Sequence, residues 1–306
     1  VSDFDLSLRT GTSDALAASL GLSHSGPVRR ITTATTPSLA SEGSLVFLAG
    51  SGGSLPEVPC TVLAGAVWAK DAVDRGFAVI ESAEPRLDFA RALACLRPPV
   101  PAEISPLAVI DPQARVASGV RIEPFVVVGA DAVIEEGCHL RAHSVVRAGV
   151  VVARDCEIGE HAVLGNDGLT VPVGRDGVPV PMRHLGGLRI GERTRVGPGA
   201  TIGRGTLDTA TVGTDCVIGP QVNIGHNARV GSCCILTGGC RLGGGVECGD
   251  RAWVGTGAVI HQKVRIGEGA VIGGGAVVTR DVEPGATVAA FPAQPLRRIA
   301  ALLRRI

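Results

Sequence analysis

A branched aliphatic residue returns at every sixth position through most of this chain. From Ile110 the series reads Val116, Ile122, Val128, Ile134, Leu140, Val146, Val152, Ile158 and Leu164. It stops at Gly165 and resumes at Ile190, Val196 and Ile202. A short insertion follows, and the series then runs from Val212 through Ile218, Ile224, Val230, Leu236, Leu242, Cys248, Val254, Ile260, Ile266 and Ile272 to Val278. Four residues after these aliphatics stands a small or slim residue, as at Ala114, Ala132, Cys138, Ser144, Cys156, Cys216, Cys234, Cys240, Ala252 and Ala270. An amphipathic helix repeats near 3.6 residues and a half-buried strand at 2. A period of six fits neither. It fits a coil with three short flat faces, in which each hexapeptide supplies one face, the aliphatic points inward and the small residue sits where the chain turns the corner. Glycine often follows the aliphatic, as at Gly225 and Gly267, and permits tight packing at the turn. The expected fold is mainly β, a left-handed parallel β-helix of about eight coils stacked at a strand spacing of about 4.8 Å.

Composition agrees with a thin, repetitive core. Glycine is abundant at 43 residues, aromatics make up only 3%, and there is no Tyr. Ordinary globular cores draw much of their buried area from aromatics, so this one must be filled by small aliphatics. Most of the nine cysteines fall into repeat slots, Cys138, Cys156, Cys216, Cys234 and Cys240 at small positions and Cys248 at an aliphatic one. They read as small hydrophobes, without zinc-ligand spacing, and they suit a reducing cytoplasm. Lys+Arg and Asp+Glu are equal at 29 each, so no global basic field points to nucleic acid. The sequence shows no signal-peptide pattern and no apolar run long enough to span a membrane.

The flanks lack the period. Residues 1–101 read as a small α/β domain with a possible nucleotide-sugar role. It has a helix capped at Thr12 or Ser13 and running to Leu20, strands at Leu45–Leu48, Thr61–Leu63 and Phe77–Ile80, and a helix opened by Pro85 and reaching Leu96. Residues 102–290 form the β-helix domain, with an excursion over 165–187 where the period is lost. Such long loops usually carry function. Residues 291–306 read as a short helix with Leu296, Ile299, Leu303 and Ile306 on one face. That helix either caps the coil, or its arginines form a basic patch for an acidic carrier or phosphates.

Three segments carry a resemblance: Gly165-Asn166-Asp167-Gly168, then Arg204-Gly205-Thr206-Leu207-Asp208, then Ile224-Gly225-His226-Asn227. Together they resemble the UDP-3-O-acylglucosamine N-acyltransferases of lipid A synthesis. In the first domain the stretch Ser44–Leu48 is similar to that family's uracil-binding region, with Phe47 at the stacking Phe, and Pro85–Ala90 is similar to its next helix. The family's stacking Tyr has no counterpart. The last third, through Val254–Ile260, Val277–Val282 and the Phe291-Pro292-Ala293 turn, looks more like small sugar acetyltransferases that use acetyl-CoA.

The resemblance implies a soluble homotrimer with no tightly bound cofactor and no metal. A phosphopantetheine thioester, on acyl carrier protein or coenzyme A, would be the co-substrate, and a nucleotide-linked amino sugar the acceptor. His226 sits two places past the inward Ile224 and so projects from the coil. An imidazole suits proton removal from an amine at neutral pH, and the family's catalytic histidine falls here. Asn227 is placed to orient its surroundings. Gly244 lies one full coil further on, above His226, and its N–H is a candidate donor to an oxyanion. His261, nearly two coils on and about 10 Å along the axis, and Gly257 are candidates for lining the donor channel. Asn166, Asp167 and His184 on the excursion are candidates for sugar contacts. Asp208 either binds substrate or holds the turn of its insertion. Three other readings stand beside this one. They are an acetyl-CoA-dependent N-acetyltransferase of a nucleotide amino sugar for surface glycans, a non-catalytic scaffold, and a zinc carbonic anhydrase, which would need three converging histidines.

Overall fold

The structure, a computed structural model, describes residues 11–50, 54–98 and 101–290. The chain divides into two compact units, residues 1–100 and 101–306. The second is the parallel β-helix that the repeat implied. Its strands, mostly two residues long, form three parallel sheets. Face 1 runs from Val109–Ile110 to Val277–Val278 in nine strands, face 2 from Arg115–Val116 to Arg265–Ile266 in eight, and face 3 from Arg121–Ile122 to Thr287–Val288 in nine. The stack is one strand longer than the aliphatic series, because Thr287–Val288 pairs with Val271–Ile272 after that series has ended.

Strands one coil apart bond to each other, so inward residues lie directly on their equivalents in the next coil. On face 3, Ile122 registers with Leu140 and Leu140 with Ile158. On face 1, Ile202 registers with Ile224 and Ile224 with Leu242. All of these side chains are buried in one continuous core. The glycines that follow the aliphatics have a spatial reason. A Cβ on Gly225 would stand 2.7 Å from the backbone of Gly243 and Gly244 in the next coil, closer than any carbon can approach. The left-handed backbone occurs two residues later, at Asn227 (φ +59°), Gly245 (φ +69°) and Lys263 (φ +62°), one above another at the same corner.

Residues 165–187 leave the coil between the face 1 strand Val163–Asn166 and the face 2 strand Gly187–Ile190. The departure is marked by a register shift between Leu164 and Asn166. Within the excursion Val180 N–H donates to Pro172 O and Met182 N–H to Thr170 O, both at 2.9 Å, so it folds as a hairpin.

The first unit is a five-stranded sheet ordered Ser23–Ser25, Ala78–Glu81, Thr61–Ala64, Ser44–Leu48 and Thr33–Ala34, antiparallel only at the first pair. Alternate strand residues face opposite sides. Leu45, Leu63 and Ile80 pack with helices Ser13–Leu20 and Pro85–Leu96. Val46, Val62 and Val79 pack with helix Ala66–Asp74. That last helix was not anticipated. It follows the strand Thr61–Ala64 after a single residue, and its cap, Gly65, makes no side-chain capping bond. The helix expected over 291–306 lies outside the described residues.

The cysteines are core filler. Cys138, Cys156, Cys216, Cys234, Cys240 and Cys248 are buried in the β-helix and Cys60 in the first unit. Burial pushes the Cys60 thiol up to about 11 and Cys240 up to about 12, because a thiolate is poorly solvated there. Several thiols also donate to corner carbonyls, as Cys216 Sγ does to Gly231 O at 3.1 Å. Titration of the native protein with a thiol reagent should therefore count two groups, Cys95 and Cys233, the two exposed cysteines. Unfolding should release the rest.

Candidate active site

His226 sits two residues past Ile224, at the corner where face 1 turns into face 2. It is half-buried. Three pieces of chain meet around its ring. The first is the next coil. A Cβ on Gly244 would lie 2.5 Å from His226 Nε2, so only a glycine leaves room for the imidazole there. Gly245 N–H donates to His226 O at 2.7 Å. The neighbouring Gly244 N–H makes no hydrogen bond among the described residues. The second piece is the insertion at residues 204–208, reached through Asn227. The third is the excursion. A Cβ on Gly168 would stand 2.4 to 2.5 Å from the His226 side chain, and Thr170 Oγ1 lies 3.4 Å from Nε2.

Hydrogen bonds orient the ring. Nδ1 is 3.4 Å from Asn227 Oδ1, a long contact with an amide oxygen that can only accept. The same oxygen takes Thr206 N–H at 2.6 Å and Thr206 O–H at 3.0 Å. An Nδ1–H would donate to that oxygen, and Nε2 faces Gly244 and the Thr170 hydroxyl. Asn227 joins the insertion to the histidine, and its left-handed backbone is one that Asn tolerates better than most residues.

The other expected residues divide in two. His184 comes to the site, with its ring edge-on to His226 at 5.0 Å between centroids. Asn166 lies at the root of the excursion, where its carbonyl takes Arg204 N–H at 3.0 Å. Its Oδ1 is buried without a partner. Arg204 also donates from Nε to Gly165 O at 2.8 Å, which fastens that root. Asp167 is exposed. Asp208 serves its turn: its carboxylate takes Arg229 Nη2 at 3.0 Å and its carbonyl takes Gly187 N–H at 3.0 Å. His261 is exposed at the same corner two coils on, but one place out of line. Continuing the register of Ile224, Leu242 and Ile260 puts Gln262 in the column of His226 and Gly244. Gly257 lies at a different corner, between faces 3 and 1, with open space around it. Phe47 belongs to the first unit, where its ring packs on Phe89 at 4.8 Å. Gly168 and Thr170 were missed as neighbours of His226. Gly168 lies within the quoted motif, whereas nothing near Thr170 in the sequence marks it. Among the described residues no three His, Cys, Asp or Glu converge as metal ligands, and no helix is long and apolar enough to cross a membrane.

A family model described as bacterial transferase hexapeptide (six repeats) matches residues 113–148, 131–166 and 245–280. These matches all lie within the β-helix and together cover less than a third of the chain. It is 42% identical over 147 residues to a UDP-3-O-acylglucosamine N-acyltransferase of Maricaulis maris, covering 47% of this chain and 42% of that one. It is 46% identical over 133 residues to UDP-3-O-acylglucosamine N-acyltransferase 1 of Gloeobacter violaceus, covering 43% and 38%. The chain thus spans less than half the length of these curated relatives. Among solved structures, the UDP-N-acetylglucosamine acyltransferase of Francisella novicida superposes with a TM-score of 0.57 at 29% identity, over 66% of this chain and 73% of its own.

Asn227→Ala should free the His226 ring and the insertion together. Unfolding stability should fall by about 1–3 kcal/mol, since two Thr206 donors lose their acceptor and Ala is strained at positive φ. In ¹⁵N NMR the wild type should show His226 protonated at Nδ1, and the variant a mixture of tautomers.

Proposed function

We propose that this protein transfers an acyl group from a phosphopantetheine thioester to the amine of a nucleotide-linked amino sugar. One observation carries the reading: His226 turns its Nε2 outward at a coil corner, against a glycine whose N–H makes no hydrogen bond among the described residues. The similarity to UDP-3-O-acylglucosamine N-acyltransferases supplies the substrate class.

The chemistry follows from that corner. The acceptor amine enters where the Thr170 hydroxyl now stands and attacks the thioester carbonyl. Nε2 takes the proton that the nitrogen sheds as the C–N bond forms. The negative charge that develops on the carbonyl oxygen is met by the Gly244 N–H, a fixed dipole needing no rearrangement. The C–S bond then breaks, and the imidazolium returns its proton to the departing thiolate. The Asn227 carbonyl oxygen accepts from Nδ1–H throughout, which keeps the ring in one tautomer and stabilises its charged form. Asn166 and Asp167 reach the acceptor from the excursion.

The donor arm lies along the corner past Gly244 toward His261, and Gly257 of a neighbouring copy closes the groove in a homotrimer. The exposure of Leu169, Leu185 and Leu207, at 87%, 76% and 81%, supports that assembly, since large apolar side chains grouped at a surface mark an interaction site. The donor is carried by acyl carrier protein or coenzyme A.

Release of free thiol from acyl carrier protein and acyl-CoA thioesters in the presence of UDP-3-O-acylglucosamine tests the reading. His226→Ala should lower kcat by about 10²- to 10⁴-fold, the range for losing a general base. Gly244→Ala should do comparable harm by displacing the ring. Wild-type turnover in His226→Ala would exclude this chemistry.

A further inference from the structure

Acyl transfer by His226 leaves a second imidazole unused. His184 is only 4% exposed, although its chain neighbours Arg183 and Leu185 are exposed and it stands on an excursion from the coil. Its ring packs edge-on against His226. Nδ1 lies 3.1 Å from Met182 O. A carbonyl oxygen only accepts, so the proton sits on Nδ1 and Nε2 is a lone pair. That Nε2 is buried and has no hydrogen-bond partner. Among the described residues His184 makes no ion pair either.

An unpaired buried acceptor destabilises a folded protein, and native structures keep few of them. This one stands beside the candidate base. It lacks only a donor, and the neighbouring Thr170 hydroxyl is engaged with His226 instead. A ligand that displaces Thr170 and brings a hydrogen for each imidazole would satisfy both rings at once.

We propose that His184 is an acceptor-binding residue whose Nε2 takes a hydrogen bond from an N–H or O–H of the amino sugar beside the forming C–N bond. This assignment rests on His226 being the base that deprotonates the amine of that sugar. It makes His184 a selector. With its proton fixed on Nδ1, the ring accepts and does not donate at this point, so an acceptor presenting a carbonyl or ether oxygen there is refused. The hydrogen comes either from the second N–H of the reacting amine or from a sugar hydroxyl.

Calorimetric binding of UDP-3-O-acylglucosamine without any thioester separates this role from catalysis. His184→Phe keeps a flat ring and removes the lone pair. It should weaken acceptor binding about tenfold or more while leaving the thermal midpoint unchanged or higher, because a buried unpaired acceptor is gone and the partly exposed Met182 carbonyl turns to water. His184→Gln retains an acceptor oxygen and should recover most of the affinity. If the penalty of His184→Phe disappears with the 4-deoxy acceptor, the 4-hydroxyl is the donor. If it persists, the donor is the amine or the 6-hydroxyl. Either result supports the assignment. Equal acceptor affinity in wild type and His184→Phe would overturn it while leaving His226 as the base. A wild type that does not bind the acceptor would remove both readings. A lower midpoint with unchanged affinity in His184→Phe would make His184 a packing residue only.

Discussion

The close in-register stacking of coils governs this molecule. Neighbouring strands must approach to the hydrogen-bonding distance of a parallel sheet, about 4.8 Å, on all three faces at once. Inward positions then hold a side chain that tiles with copies of itself, and branched aliphatics do this on every face. Positions just after the aliphatic must often have no side chain, because the next coil occupies that space, as Gly243 and Gly244 do at Gly225. Corners accept left-handed backbone again and again, which explains why Asn227, Gly245 and Lys263 form a column. The core contains few aromatics because the prism is too narrow for them.

Within so regular a stack, a site requires a departure from the pattern. Here there are two, the excursion over 165–187 and the insertion near 204–208, and both converge on one corner. Asn227 binds the insertion through Thr206 and the histidine through Nδ1. Arg204 fastens the root of the excursion through Gly165 and Asn166. Gly168 and Thr170 then press on the His226 ring from outside the coil, and Gly244 leaves room for it on the coil side. The regular part supplies rigid placement, and the irregular parts supply polar groups with nowhere else to bond. This division suits a reaction whose catalyst is mostly geometry: one lone pair, one N–H and a shaped space.

Identity to the N-acyltransferases of Maricaulis maris and Gloeobacter violaceus is high over the matched part, yet that part is less than half of each relative. The likeness to the Francisella novicida acyltransferase extends over most of that chain at lower identity. Both are likenesses to proteins named as acyltransferases. His184 and Thr170 lie in one of the irregular segments.

The sequence by itself determined the coil. A strict six-residue period leaves one inward side chain per strand, so burial follows directly from counting, and Gly244 could be placed over His226 by adding one coil. It also showed where the pattern failed, at Gly165 and after Ile202. Only the tertiary structure decided what those failures do. Hydrogen bonds such as Thr206 to Asn227 and the approach of Thr170 to His226 join residues far apart in the chain through loops that have no period to count. Adding a second coil reaches Gln262 and not His261, and the register of the strands agrees residue by residue. Helix Ala66–Asp74 escaped notice for a related reason: its helical form depends on packing against a sheet assembled from separate strands, and a nine-residue segment carries too few local signals to announce that.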